Sequence, residues 1–238
     1  MCLSAFAERR LQPELMDQPG LNVRDHEHAL EGLRRLNAVS GICRQFWRHI
    51  ARHGHLNGGR PLRVLDVASG GGDVALGLWT IADRQGIKLQ TLGLDTSDSA
   101  CRHAAQRCGQ AGGAIRFQQA DVTKEPLPTG FDVVTCSLFL HHLTSDQSVR
   151  LLAAMAAAGR LLLVSDLRRS AAGYALAQAA CRLATTSPIV HHDGPQSVVN
   201  AFSLAEVREL CIGAGLADAV VRRAWPYRFM IERNGGVH

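Results

Sequence analysis

Three aspartates carry the first chemical signal in this chain. Asp66 sits inside the end of a short apolar run, residues 63–67, four positions before Gly70. Asp95 closes a second apolar run roughly 20 residues after the glycines, where a carboxylate can accept both hydroxyls of a ribose. Asp121 follows a third run in QQADVTKEPLP, where it can accept from the exocyclic amine of an adenine. An acid at the position of Asp66 can hold a cation such as an amino group, directly or through water. Each aspartate alone could be a helix cap or a turn former. Three of them at successive strand ends, beside a glycine-rich loop, point to a site for a nucleotide-like ligand.

The element that must position them is RVLDVASGGGDVALGL, residues 63–78. Residues 63–67 read as a strand. Ala68 to Gly72 are small enough for close backbone approach. From Asp73 onward, Val74, Ala75, Leu78 and Ile81 mark a helix with one apolar face. Strand, glycine turn and helix N-terminus together suit a nucleotide-like ligand in an open α/β sheet. Gly70-x-Gly72-x-x-Ala75 also fits the loose dinucleotide fingerprint, but a loop of that type usually lacks a carboxylate at the position of Asp66.

Downstream, strands at 63–67, 88–95, 114–119, 131–137 and 160–166 alternate with helices at 74–84, 98–108 and 145–158. This spacing predicts a doubly wound parallel sheet with right-handed crossovers. A further helix covers 171–184, and a loop carrying His191 and His192 follows it. Ser203 and Glu206 then form a capping box that opens a short helix. The runs 219–224 and 228–232 suit an antiparallel hairpin that completes a seven-stranded sheet. Upstream, 9–22 contains Pro13 and Pro19 and is expected to wrap the surface. Residues 24–52 have a helical apolar stripe, with a break at Ser40-Gly41. A polar linker at 54–61 precedes the sheet. The expected division is a helical cover at 1–59 and a ligand-binding domain at 60–238, with an insertion at about 168–200 over the acceptor site.

Composition excludes several classes. A chain of 238 residues with 46% hydrophobic and 20% charged residues suits one globular domain with an added segment. The formal charge of +5 is spread through arginine, and only Lys88 and Lys124 are lysines, so nucleic acid is not an expected partner. Seven cysteines without a CxxC pair suit a reducing compartment. No apolar run approaches the ~18 residues of a membrane span, and no secretory signal is evident. A cytoplasmic protein, monomer or homodimer, is expected.

VLDVASGGG, GLDTS, QADVTKEPLP and FDVVTCSLFLHHL resemble the successive motifs of class I S-adenosylmethionine-dependent methyltransferases. AFSLAEVRELCIGAGL and the final hairpin resemble the same family's C-terminal end. LMDQPGLN, DLRRS and HHDGP look like stretches of the small-molecule methyltransferases of polyketide and quinone pathways, a setting of secondary metabolism. The resemblance spans about 60–232. Two positions depart from it: Ala68 stands where the family often has glycine, and Asp73 where a third glycine is found. The resemblance implies that Asp66 and the backbone of Ala68, Ser69, Gly70 and Gly72 face the methionine part of S-adenosylmethionine. Asp95 would hold the ribose, with Thr96 beside the adenine. Asp121 and the Val122 amide would read the adenine edge, and Ser137 would line the methyl-sulfur region.

The resemblance names no base. A sulfonium is already a strong electrophile, so alignment and water exclusion carry most of the catalysis. A phenol must still lose its proton, and histidine suits that task. His141 and His142 follow the fourth strand. His142 is the favoured cleft residue, and a packing histidine is the alternative. His191 and His192, beside Asp193, lie in the insertion, with a base or acceptor-contacting role set against a solvated one. Paired histidines with Asp166 or Asp193 offer ligand types but no recognised spacing, so no metal is assigned. Arg35 and Asn37 are candidates for the cofactor carboxylate. Arg168 and Arg169 are read as salt-bridge residues first. The expected activity is methyl transfer to a small aromatic or lipid-like acceptor, as O-methylation of a phenol or hydroxyquinone. The alternatives are C-methylation of a quinone ring, an NAD(P)-dependent oxidoreductase and a non-catalytic S-adenosylmethionine-binding protein.

Overall fold

The computed structural model describes residues 6–17, 20–53, 60–110 and 115–235. Its elements run α1 (Val23–Ser40), α2 (Ile42–Arg52), β1 (Leu62–Val67), α3 (Asp73–Asp83), β2 (Leu89–Asp95), α4 (Asp98–Gln110), β3 (Ile115–Gln119), β4 (Phe131–Ser137), α5 (Ser145–Ala158), β5 (Gly159–Leu167), α6 (Ala171–Ala184), α7 (Pro188–Asn200), α8 (Leu204–Gly213), β6 (Val220–Ala224) and β7 (Arg228–Asn234). The sheet order is β3-β2-β1-β4-β5-β7-β6. The first five strands pair in parallel, and β7 runs antiparallel to both β5 and β6. This is the doubly wound, mostly parallel seven-stranded sheet expected from the sequence.

The central strands are apolar on both faces because helices cover both. Alternate residues divide between the two cores. Val64, Val133, Leu161 and Leu163 pack with Ile42, Phe46 and Trp47 of α2 and Leu78 of α3. Leu65, Val134, Leu162 and Val164 pack with Leu152 and Met155 of α5 and Val207 and Leu210 of α8. Each such side chain contributes roughly 1.5–3 kcal/mol by leaving water. The chain winds one way from β1 to β3 and the other from β4 to β5. A crevice therefore opens at the carboxyl ends of β1 and β4, the place where such sheets bind ligands.

Gly41 adopts φ 65 and separates α1 from α2, as the sequence suggests. The capping boxes at Thr144–Gln147 and Ser203–Glu206 both form. The predicted linker falls largely on 54–59, outside the described residues.

One expectation is corrected. Residues 188–200, read as a loop, form α7 with Pro195 inside it. Pro188 is compatible with a first turn, where its missing N–H is not needed. Contacts distant in sequence override the loop signals. Asp193 accepts from the amides of Leu15 and Met16, both at 2.9 Å. Asn200 accepts from the Gln12 amide at 3.0 Å and donates to its carbonyl at 2.9 Å. Gly194 sits so close to α6 that a Cβ there would lie 2.2 Å from Cys181 Sγ. Those same bonds tie down the N-terminal segment. It runs along the surface, with residues 10–13 exposed, while Glu14 is only 5% exposed and the Arg9 guanidinium stacks on Phe202 at 3.7 Å.

Candidate active site

The glycine loop is built by backbone geometry. Ser69 donates its amide to the Leu94 carbonyl at 2.8 Å, and the Gly72 amide returns to Ser69 O at 2.9 Å. Ala68, Gly70 and Gly72 take positive φ of 54, 50 and 76. At Gly70 a Cβ would meet nothing within 4 Å, so that side of the loop opens onto free space. Gly72 differs, because a Cβ there would lie 2.8 Å from Phe117 and 2.9 Å from Ala104. Its glycine is required by packing against β3 and α4, and it lies outside the cavity wall. Asp73, the other departure from the family pattern, takes a structural role. It pairs with Arg107 at 2.8 Å, and Arg107 also donates to Gly71 O at 2.7 Å.

The loop borders a cavity of about 1110 Å³. Asp66, Ala68, Ser69, Gly70, Asp95, Thr96, Asp121, Val122, Ser137 and His142 all lie on its wall. Leu30, Leu33 and Leu36 of α1, Leu176 and Ala180 of α6 and Val198 of α7 supply an apolar cover.

The three aspartates differ sharply. Asp66 is 1% exposed. The Thr135 hydroxyl donates to its Oδ1 at 2.7 Å, and Oδ2 has no partner. Burial pushes its carboxyl up to about 7, against the lowering effect of Thr135 and the Ala75 amide and with a further push from Asp95 and Asp73. Asp95 takes the Gly70 amide on Oδ2 at 2.8 Å and the Ser97 amide on Oδ1 at 2.9 Å. Each of its oxygens keeps a second lone pair. Asp121 is held down at about 2 by Lys124 and Thr123.

At another part of the wall, Leu138 has φ 58 and turns the chain out of β4 into a short 3-10 turn, Leu140–His142. His141 is buried and its Nδ1 lies 2.7 Å from Asp166 Oδ1, while its amide donates to Asp166 Oδ2 at 3.0 Å. Burial opposes the charge on Asp166, but His141 and the amides of Leu167 and His141 outweigh it and hold the carboxyl below its ordinary value. Nε2 of His141 and of His142 lie 3.6 and 3.9 Å from Glu14 carboxylate oxygens. Glu14 also accepts from the Ser197 hydroxyl at 2.7 Å. Glu14, His141 and His142 all line the cavity.

Three site candidates lie elsewhere. His191 Nε2 bonds the Thr185 carbonyl at 2.7 Å, which fixes the entry to α7. His192 pairs with Asp193 at 2.9 Å and its side chain is 54% exposed. Arg35 lies 3.5 Å from Glu31 and donates to the Ala184 carbonyl at 3.1 Å. None of them is on the cavity wall. The loop reading of 188–200 misplaced the histidines, and the helix turns both toward other partners. Asn37 is on the wall, and its amide lies 3.4 Å from Asp73 Oδ2.

Sequence reasoning missed Glu14 and Arg228, and weighed Asp166 only as a ligand type beside the histidines. Asp166 ends β5, so the rule that picked the other aspartates also applies to it. Arg228 is 4% exposed and lines the cavity, and its Nε and one Nη have no partner. Burial lowers its guanidinium to about 10. Its only signal in sequence is an arginine directly before the apolar run Phe229–Ile231. Arg169, by contrast, is satisfied, donating to Glu206 at 2.7 and 2.9 Å and to Ala201 O at 2.8 Å.

These walls fit a ligand with an ammonium, a carboxylate and a nucleoside. Buried polar atoms normally have partners. Asp66 Oδ2, Ser137 Oγ and Arg228 Nε and Nη1 lack them on one cavity, and the open cradle at Gly70 adjoins them.

Comparison with known proteins agrees. Residues 64–160 match a methyltransferase domain family. A ubiquinone biosynthesis O-methyltransferase of Methylococcus capsulatus is 30% identical over 148 residues, 61% of this chain and 57% of that protein. A demethylmenaquinone methyltransferase of Deinococcus radiodurans is 37% identical over 78 residues, 32% of this chain and 31% of that protein. The matches thus span less than two thirds of either curated relative. Among solved structures, the magnesium protoporphyrin IX methyltransferase of Synechocystis with bound S-adenosylhomocysteine superposes with TM-score 0.57 at 16% identity, over 91% of this chain and 90% of that one. An O-methyltransferase from neocarzinostatin biosynthesis, in complex with S-adenosylmethionine and 2-hydroxy-5-methyl naphthoic acid, superposes with TM-score 0.52 at 25% identity, over 71% and 47%. The domain match and the sheet order together show that residues 64–160 carry a methyltransferase domain of the class I, S-adenosylmethionine-dependent kind.

Proposed function

We propose that the protein transfers the methyl group of S-adenosylmethionine to an oxygen of a small aromatic or lipid-like acceptor, a phenol or hydroxyquinone. One observation carries this reading. A single cavity joins the unpartnered Oδ2 of Asp66, beside the glycine loop, to the Glu14–His141–His142 cluster, and its cover is aliphatic. Asp66 would hold the amino group of the cofactor and Arg228 its carboxylate. Asp95 would hold the ribose hydroxyls. Thr96, Asp121 and the Val122 amide would border the adenine, and Ser137 the sulfur. When bound, the cofactor supplies an electrophilic methyl group. The protein aligns the attack and keeps water out. Leu33, Leu36, Leu176 and Ala180 offer the acceptor's apolar body a dry surface, and its hydroxyl would face the His142 end.

Relatives that act in quinone biosynthesis and a neighbour bound to a naphthoic acid support an aromatic acceptor. Carbon methylation of a quinone ring is the second reading, favoured by the demethylmenaquinone-methylating relative. In this reading α1 and α2 form the cover and α6–α7 the insertion over the acceptor. Six described cysteines are free thiols, which supports a reducing, cytoplasmic setting. Among the described residues no helix is long and apolar enough to cross a membrane.

The test is incubation with methyl-labelled S-adenosylmethionine and a panel of phenols, hydroxyquinones and quinones, followed by mass spectrometry. Label on oxygen supports the first reading and label on ring carbon the second. Cofactor binding with no transfer to any acceptor would favour a non-catalytic binder, and affinity for a nicotinamide dinucleotide instead would favour an oxidoreductase.

A further inference from the structure

We propose that Glu14, His141 and His142 form a binding site for one divalent transition-metal ion, with zinc as the reference ion, on the acceptor side of the cavity. The proposed role of that ion, holding and acidifying the acceptor hydroxyl, rests on the methyl-transfer reading. The binding site itself does not.

The geometry points to an ion rather than to direct hydrogen bonds. The three ligand atoms all lie within 4.8 Å of one another. Nε2 of His141 is 3.6 Å from Glu14 Oε1, and Nε2 of His142 is 3.9 Å from Glu14 Oε2. Both distances exceed the hydrogen-bond range for nitrogen and oxygen. They approach the separation of about 3.3–3.4 Å between ligands of a tetrahedral ion with bonds of about 2.0–2.1 Å. Two histidines and one glutamate are a ligand set used by catalytic zinc, which keeps its fourth position for water or substrate. Here that position would face the cavity.

The surrounding groups are those that a metal site requires. Asp166 takes Nδ1 of His141 at 2.7 Å and leaves Nε2 directed at Glu14. A carboxylate behind a ligating histidine fixes its ring and raises its basicity. The Ser197 hydroxyl and, at 3.4 Å, the Asn200 amide donate to Glu14 Oε1 and orient its carboxylate. Glu14 and His141 are 5% and 3% exposed, so their polar atoms have little recourse to solvent. A divalent ion there would compensate two buried carboxylates, Glu14 and Asp166. It could lower the pKa of a bound hydroxyl as zinc lowers that of its water, to about 7. The expectation of no metal considered only pairs with Asp166 or Asp193. Glu14, the third ligand, is distant in sequence and reaches the histidines because α7 anchors its segment.

The experiment uses the full chain stripped with chelator, then titrated with cobalt(II) and followed by visible absorption, and with zinc(II) followed by calorimetry. One equivalent of cobalt with the intense bands of a low-coordinate site is expected, displaced by zinc. His142→Ala should abolish the bands; that side chain is partly exposed, so its loss should leave the fold intact. Asp166→Asn should weaken binding by roughly 10–100-fold with stoichiometry unchanged. Absence of the bands in the wild type, or bands of wild-type intensity in His142→Ala, overturns the proposal. S-adenosylmethionine binding to the stripped protein is measured alongside. Cofactor affinity without metal binding refutes the metal site alone, and metal binding without cofactor affinity refutes the methyl-transfer reading alone.

Discussion

Replacing Asp66 by Asn separates the cost of a buried charge from its use. Asp66 is 1% exposed, its Oδ2 has no partner, and its carboxyl titrates at about 7. The titratable groups around it are Asp73 of α3, Asp95 of β2, and the thiols of Cys43 on α2 and Cys136 on β4. None of these is a cation. A folded-state pKa raised above the unfolded value means that the unfolded chain ionises first, so Asp66 subtracts stability as pH rises from its unfolded pKa to about 7 and no further. Between about pH 5 and pH 8 this amounts to roughly 2–3 kcal/mol. Asn keeps the acceptor for Thr135 and carries no charge. The melting temperature of Asp66→Asn relative to wild type should therefore rise with pH, by roughly 5–10 °C across that interval. Cofactor binding should show the opposite sign. An ammonium needs the ionised carboxylate, so wild-type affinity should increase several-fold between about pH 6 and pH 7.5, below the range where an α-amino group itself titrates. Asp66→Asn should bind roughly 10–100-fold more weakly and lose that pH dependence. Calorimetric melts and titrations on both proteins decide the matter. A melting difference that does not change with pH, or an unaltered affinity in the variant, would refute the reasoning.

Further outcomes follow from particular contacts. Asp95→Ala should weaken binding of adenosine-containing ligands by roughly 10–100-fold, since it removes a charged acceptor on the cavity wall and the anchor of the Gly70 amide; titration with S-adenosylhomocysteine checks this. Gly72→Ala places a Cβ against Phe117 at φ 76, so it should destabilise by at least about 2 kcal/mol, read as a loss of roughly 4–8 °C in melting temperature. Arg169→Met breaks the pair with Glu206 and should cost about 3 kcal/mol in denaturant unfolding. Cofactor affinity, measured where the variant stays folded, should be retained.

Most of the sheet is legible in the sequence because each central strand is an apolar run bounded by polar or small residues. Phe131–Ser137, Ser145–Ala158 and Ala171–Ala184 fall where the periodicity puts them. The cavity wall beside Gly70 is legible for a related reason: β1, β2 and the glycine loop are local in sequence, and Asp66, Asp95 and Ser137 end strands whose direction is already known. The wall formed by Glu14, His141 and His142 is not local. α7 carries Gly194 and Pro195, which read as loop signals, and it is helical because Asp193 and Asn200 hold the N-terminal segment and Gly194 admits Cys181. With α7 misread, His191 and His192 were expected over the acceptor, and Glu14 was left outside the site. Arg35 and Arg228 show the same limit. Periodicity gives the face of a helix or strand, but which arginine loses its water depends on contacts that no local pattern encodes.

The most direct measurement is a crystal structure of the protein with S-adenosylhomocysteine. The account predicts ribose hydroxyls on the Asp95 carboxylate, the amino group within hydrogen-bond reach of Asp66, and the sulfur directed toward Ser137. A ligand bound away from the crevice beside Gly70, or an amino group that leaves Asp66 Oδ2 unpartnered, would contradict it.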